Sequence, residues 1–414
     1  MKKIIVVGGG ISGLCAAYYL IKEGYLVTVI DKNDITSGVS FINAGYVTPS
    51  HFISLASPGM INKGLKWMFN SASPFYIQPR FDLDFFKWAL NFKKSATQKK
   101  VEEAVPVIKE INLKSRELYE EIFASLDFKF HYENKGLLMA YATAHGEEDE
   151  TMVAERAVKE GLDARKLSRK ELDLMEPGFS DKVIGAIYYS CDSHTTPNHF
   201  MGSLKSWLKD NGVEFILNEE VKSFTKFKNK IISVETGNNT YEADEFVLTT
   251  GCWTSGLAKS LGINIPIQGG KGYSMDVKRP TGIKLPAILV ESKVAVTPMD
   301  GFTRFAGTME FSGNNNVIRK NRVETIAHAV GKYYSSVEIN GEEKEKAVSG
   351  LRPVSPDGLP YIGRSQVFGN LTIASGHAMM GWSLGPATGK LVSQIISEKE
   401  LLLKISPFSP ERFH

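Results

Sequence analysis

The stretch Lys3-Ile4-Ile5-Val6-Val7-Gly8-Gly9-Gly10-Ile11-Ser12-Gly13 constrains this chain more than any other. Four β-branched residues in a row read as a strand buried on both faces. The glycines at 8, 10 and 13 then supply G-x-G-x-x-G. Apolar residues return at helical spacing from Ile11 to Glu23, Gly24 stops the helix, and Leu26-Val27-Thr28-Val29-Ile30 reads as the next strand. Asp31 closes it, 18 positions beyond Gly13. This is a strand–helix–strand unit built to hold a dinucleotide. Gly8 permits the tight turn, Gly10 the approach of a pyrophosphate, and Gly13 the close packing of helix on strand. Ile11 and Ser12 open a helix whose free N–H groups and positive dipole end suit phosphate. Asp31 is placed to accept from ribose hydroxyls.

Other function classes fall away on bulk properties. The chain has 414 residues, enough for two domains, and its net charge of +3 is too small to argue for nucleic acid. Cys15, Cys191 and Cys252 are odd in number, far apart and without metal-ligand spacing, which fits a reducing compartment and gives no reason to expect a metal site. Lys2-Lys3 before an apolar run imitates a signal peptide, but the run belongs to the nucleotide-binding unit. No apolar run reaches the length of a membrane span. A cytoplasmic location is expected, with peripheral contact at the inner membrane face left open.

The loop after Asp31, from Lys32 through Ser40, Asn43, Ala44 and Gly45, is small and polar and must pass the bound nucleotide. Residues 52 to 92 crowd aromatics (Phe52, Trp67, Phe69, Phe75, Tyr76, Phe81, Phe85, Phe86, Trp88, Phe92) among lysines 63, 66, 87, 93 and 94. They read as a helical cover over a substrate cavity or as a patch for a membrane surface.

Periodicity predicts an amphipathic helix over 101–126, a hairpin pairing 128–132 with 137–141, and an acidic helix near 146–160. Ser168-Arg169-Lys170-Glu171 is a capping box. Further strands are expected at 184–189, 213–217, 221–227, 231–236, 245–250 and 371–374, with a hairpin through Asp300-Gly301. Helices are expected at 197–211, 320–335 and from the 376–382 stretch to about 397.

Four stretches resemble the D-amino-acid oxidase superfamily of flavoenzymes: VVGGGISGLCAAYYL…VTVID at 6–31, LTTGCW at 248–253, GLRPVSPDGLPYIG at 350–363 and SGHAMMGWSLGPATGKLVSQII at 375–396. Within it, NAGYVTP at 43–49, GLKWMF at 64–69 and KGYS at 271–274 are most similar to the bacterial D-amino-acid dehydrogenase small-subunit type. The resemblance implies an α/β chain. A Rossmann-like FAD-binding domain of glutathione-reductase type would be assembled from 1–50, 146–262 and 345–414. A second, α+β substrate domain on an antiparallel sheet would take 51–145 and 263–344. It implies FAD rather than NAD, and oxidation of an amino acid's C–N bond to an imine that water hydrolyses.

The resemblance also assigns residues. Val221 meets adenine, Gly251 and Trp253 border the pyrophosphate, and Gly376, His377, Gly381, Trp382 and Ser383 bring a helix N-terminus to the flavin pyrimidine. Arg352 is the expected carboxylate-binding cation, with Arg304 a weaker second. Tyr273 is a phenol candidate, and His51 a further cavity residue. Relatives that attach FAD through a cysteine near the Arg-Pro stretch differ here, because no cysteine follows Cys252; non-covalent FAD is expected. The resemblance implies a D-amino acid or a proline- or hydroxyproline-like amine as substrate, with electrons passing to a quinone or other carrier. An O2-using oxidase of glycine, sarcosine or D-amino acids, and a flavin-binding subunit without catalysis of its own, are the alternatives.

Overall fold

The computed structural model describes residues 1–58 and 73–413. The GLKWMF stretch, with Lys63, Lys66, Trp67 and Phe69, lies outside the described residues.

The first strand, β1 (Lys3–Val7), is central because its run of apolar residues has no polar face to show water. It pairs in parallel with β2 (Leu26–Asp31) on one side and with Glu245–Leu248 on the other. Val6 lies opposite both Val29 and Val247. The sheet continues to Glu214–Leu217 beyond β2 and to Leu371–Ser375 beyond Glu245–Leu248, all parallel. Tyr361–Arg364 closes the far edge antiparallel. Helix α1 (Ile11–Lys22) follows β1, and Gly24 takes φ +83° where the chain turns back. The C-terminal helix Gly385–Ile396 lies directly on α1. Its Gly385 faces Ile11 and its Gly389 faces the Cys15 backbone so closely that a Cβ at either position would collide.

A nine-stranded sheet forms the second layer, in the order 348–354, 268–277, 302–311, 294–299, 287–289, 137–141, 185–189, 164–168, with 75–77 beside 302–311. It is mixed rather than purely antiparallel: Ala287–Leu289 runs parallel to Leu137–Tyr141, and Phe75–Ile77 parallel to Phe302–Phe311. Ala164–Ser168 and Gly185–Tyr189, which fall within the 146–262 range, run in this sheet. A polar meander of 223–227, 230–235 and 240–242 stands apart, as does a small sheet of Tyr46–Val47, Ser193–Thr195 and Tyr132–Glu133.

Most expected elements form. The long helix spans Gln98–Ser125 and buries Val101, Val105, Ile108, Ile111, Leu118 and Ile122. It stops one residue before Leu126, which sits exposed at φ +57°. The capping box at Ser168 and Glu171 is made. The hairpin of 128–132 with 137–141 does not form. Phe128 and Phe130 instead pack on Phe200, Tyr132–Glu133 pairs with Ser193–Thr195, and Leu137–Tyr141 pairs with Gly185–Tyr189. Burial of the aromatic rings outweighs local strand pairing. The last helix runs from Gly385 to Ile396, and the 376–384 stretch before it is turns and loop, with His377 bridging Val354.

The aromatic segment divides. Helix Leu83–Ser95 turns Phe85, Trp88 and Phe92 inward against Phe311 and Val354, and Trp88 Nε1 donates to the Val354 carbonyl at 2.9 Å. Phe81, Leu83, Phe86 and Leu90 face outward. Among the described residues no helix is long and apolar enough to cross a membrane.

Candidate active site

A cleft of 940 Å³ opens where β1, β2 and Glu245–Leu248 end against the edge of the large sheet. Its floor is the Gly-rich turn. Gly8 has φ +105°, and a Cβ there would lie 2.7 Å from the Thr249 carbonyl oxygen; a Cβ on Gly13 would strike the Gly8 carbonyl. Thr249 Oγ1 donates to the Gly8 carbonyl at 2.7 Å, fixing the turn to the neighbouring strand. Helix α1 opens with no side-chain cap and no acidic residue in its first turn, so its positive end is left facing the cleft. Asp31 holds the turn in shape: its Oδ2 accepts from Gly9 N at 2.7 Å and its Oδ1 from Asn33 N at 2.8 Å. A carboxylate has about four lone-pair directions, so two remain for hydroxyls.

Gly8, Gly10, Ile11, Ser12, Asp31, Lys32, Ser40, Asn43, Val221, Gly251, Trp253, His377, Gly381, Trp382 and Arg352 all line this one cleft. They come from six separate parts of the chain. Ser40 Oγ accepts from Ile11 N at 3.1 Å, closing the loop over α1. Lys32 Nζ stands 3.3 Å above the centre of the Trp253 ring, and burial lowers its pKa. Such a glycine cradle at a helix start without an acidic residue, with an acid at the next strand's end, fits a dinucleotide phosphate and ribose. The donor set therefore fits FAD.

Other expected residues stand behind the wall. Gly13 packs the turn rather than lining it. Ala44 is pinned through its carbonyl by Thr297 Oγ1 at 2.8 Å, and Gly45, at φ +80°, lies against the Thr195 carbonyl. Ser383 donates to Asn112 Oδ1 at 2.7 Å and accepts from Thr48 N. Gly376 sits over the Tyr361 ring at φ +77°, where a Cβ would clash. Trp382, part of the cleft lining, is braced from behind: its Nε1 donates to Thr195 Oγ1 at 2.9 Å.

Arg352 brings a guanidinium to the cleft. Its Nη1 donates to the Thr308 carbonyl at 2.9 Å, and among the described residues no carboxylate pairs with it. Enclosure in protein without a counter-charge pulls its pKa down to about 10. Gly272 lies flat beneath its guanidinium, where any side chain would collide. KGYS thus contributes its glycine, a role the sequence reading missed. Tyr273 points the other way. It is buried and donates to Glu310 Oε2 at 3.0 Å, in a cluster with Lys271, Arg319 and Arg322. It does not join the cleft. Arg304 is also committed: it forks onto Asp276 at 2.7 and 2.8 Å and donates to the Phe41 and Asn43 carbonyls. It is a buried strut, not a solvated charge or a substrate ligand.

His51 is outside the cleft lining. Its Nδ1 lies 3.1 Å from Ser50 Oγ, which donates to Asp192 at 2.5 Å. Burial pulls His51 down to about 4 and pushes Asp192 up to about 7. His377 is likewise held near 4 by burial, its Nε2 2.9 Å from Thr388 Oγ1.

The FAD dependent oxidoreductase (DAO) family profile matches residues 3–395. The chain belongs to this family. Two members named D-amino acid dehydrogenase are 30% identical to it: that of Neisseria gonorrhoeae (strain NCCP11945) over 99% of both chains, and that of Helicobacter pylori (strain ATCC 700392 / 26695) over 95% of this chain and 94% of the other. Among solved structures, a glycine oxidase from Geobacillus kaustophilus superposes with a TM-score of 0.78 at 20% identity, covering 100% of both chains. An L-proline dehydrogenase from P. horikoshii gives 0.75 at 19%, covering 100% of this chain and 97% of that one. The fold is that of DAO-family flavoenzymes, and the enzyme is an FAD-dependent oxidoreductase.

Proposed function

We propose that the chain is a D-amino acid dehydrogenase that oxidises the Cα–N bond of its substrate and hands the electrons to a quinone or another carrier. The observation that carries this is Arg352: a guanidinium turned into the flavin cleft, poor in water and without an acidic partner among the described residues. An amino acid brings the missing carboxylate, and the planar fork takes it through two parallel bonds. The names of the curated relatives support the same reading.

FAD, when bound, supplies a hydride acceptor. The Ser12 N–H with Gly10 would hold the pyrophosphate, Asp31 the ribose, Val221 the adenine edge, and Gly251, Lys32 and Trp253 the rim. Ser40, Asn43 and the 376–383 turn would hold the flavin end, non-covalently. Arg352 fixes the carboxylate and thereby the position of Cα. With His51 and His377 neutral at pH 7, neither imidazole competes for that carboxylate. No protein base is required if the amine enters uncharged; deamination follows by hydrolysis of the imine in water. We draw the two halves of the molecule along the expected division, with strands 164–168 and 185–189 counted with the substrate sheet they pair into.

A quinone acceptor is lipid-soluble, and the outward residues Phe81, Leu83, Phe86 and Leu90, beside Lys87, Lys93 and Lys94, give the enzyme a peripheral membrane contact.

The test is an anaerobic screen of D- and L-amino acids, with proline, hydroxyproline, glycine and sarcosine, following loss of the flavin's visible absorbance. D-amino acids should bleach it. Bleaching by L-amino acids alone, or by none, defeats the proposal. Stoichiometric peroxide on readmitting air would replace the carrier with O2.

A further inference from the structure

On the small three-stranded sheet, three donors from two distant segments converge. Glu133 and His194 are directly opposed in the antiparallel pair of Tyr132–Glu133 with Ser193–Thr195. His131 precedes Glu133 by two residues, the spacing that puts both side chains on one face of an extended chain. One ligand atom from each of His131, Glu133 and His194 lies within 4.8 Å of the others. His194 Nε2 is 3.3 Å from Glu133 Oε2, and His131 Nε2 is 3.8 Å from Glu133 Oε1.

His194 has a side-chain exposure of 0%, yet among the described residues neither of its ring nitrogens finds a hydrogen-bond partner. Burying such a group without a partner is costly. Its approach to Glu133 lacks hydrogen-bond alignment, so proximity alone does not satisfy it. His131 is oriented from behind. Its Nδ1 lies 2.9 Å from Thr196 Oγ1, which also accepts from Asp300 N at 3.0 Å. With Nδ1–H donating to Thr196, Nε2 keeps its lone pair toward the cluster. That is the outer arrangement metal-ligating histidines use. Lys135 Nζ occupies Glu133 Oε2 at 2.9 Å and leaves Oε1 available.

We propose that His131, Glu133 and His194 bind one divalent metal ion of the zinc class. Two imidazoles and a carboxylate suit zinc, nickel, copper or iron(II), and not the all-oxygen shells of magnesium or calcium. The donors close to bonding distance by rotation of the half-exposed Glu133 side chain and a small shift of His131. Three protein ligands leave room for water.

The site is structural in its consequence. Thr195, the next residue on the strand, points to the opposite face and receives the Trp382 indole N–H. The ion therefore ties the 131–133 segment to the strand that braces the cleft wall, without entering the cleft.

The experiment uses the full chain with its flavin bound, stripped by a chelator, dialysed, and titrated with zinc chloride alone by calorimetry and thermal melting. The expected result is one zinc per chain and a raised Tm. His131→Gln and Glu133→Gln, both at partly exposed positions, should keep the flavin, lose at least tenfold in zinc affinity, and lose the rise in Tm. Absence of stoichiometric binding overturns the site. So does binding unaltered in both variants, which would assign the ion to exposed histidines such as His145 or His199. X-ray absorption of the zinc-loaded wild type needs no variant; a shell containing fewer than two imidazoles also overturns it.

Discussion

Arg352→Lys keeps a positive charge in the cleft but removes the planar fork, so the substrate carboxylate loses one of two parallel bonds. KM should rise by one to two orders of magnitude, about 1.5–3 kcal/mol, while the flavin stays bound. Steady-state kinetics alongside the flavin spectrum read both; unchanged kinetics would take Arg352 out of the site. Asp31→Ala removes the acceptor of Gly9 N as well as a ribose ligand, and apoprotein titration should show FAD affinity reduced by tenfold or more. A third prediction concerns pH. An unfolded aspartate titrates near 3.9, whereas buried Asp192 is pushed up to about 7. Between those values the folded protein holds a proton that the unfolded chain has released, so this group's contribution to stability falls as pH rises from about 4 to 7. Asp192→Asn should flatten the decline of Tm across that range. An equal decline in wild type and variant would show that another group is responsible. Arg352 could be read from its motif, because Arg-Pro is followed by a spaced set of glycines. Tyr273 could not be placed. In an extended strand only the choice of face decides which neighbour meets the cleft, and a bulge between Lys271 and Tyr273 resets that choice. The His131–Glu133–His194 cluster left no spacing signal, since its third member lies 61 positions along from Glu133.

Elements with one strong period were legible. The buried run of β1, the 3.6-residue stripe of Gln98–Ser125 and the turn at Asp300-Gly301 each follow from local side-chain pattern. The 128–141 hairpin was not, because its partners come from residues 185–195 and 287–289. Helix Leu83–Ser95 shows why its aromatics read two ways: both faces carry them, one packed and one bare. Phe86→Ser with Leu90→Ser should leave folding and flavin intact, because both side chains point to solvent. The pair should weaken co-sedimentation with anionic liposomes at low salt, and salt should weaken the wild type's binding. A wild type that stays in the supernatant at low salt would make this helix only a cover. Between α1 and the C-terminal helix, Gly389→Ala would press a methyl into the Cys15 backbone. Overpacking of that kind costs about 1–3 kcal/mol, and a lowered Tm with faster loss of flavin should follow.

Taken whole, the molecule is one nucleotide cleft walled by six stretches of chain, and four of those stretches carry the family's motifs. Motifs survive in sequence because glycines and cofactor ligands have few substitutes. The strand order of the large sheet is set by long-range packing and left little mark. The assembled cleft makes a further prediction: acid or heat precipitation should release the yellow chromophore into the supernatant, since no cysteine follows Cys252 and burial keeps the Cys252 thiol, which faces the Leu351 carbonyl, protonated and unreactive. Colour retained by the denatured pellet would contradict it.

The pairing of β1 with Glu245–Leu248 has a consequence for how the chain is made. A ribosome delivers residues in order, at about 5–20 per second. The strand that covers one edge of β1 emerges some 240 residues after it, on the order of 12–50 s later at those rates. Helix Gly385–Ile396, which packs on α1, leaves later still. For more than half of its synthesis β1 therefore has a neighbour available on one side only, and its other edge waits for a strand from the second half of the chain.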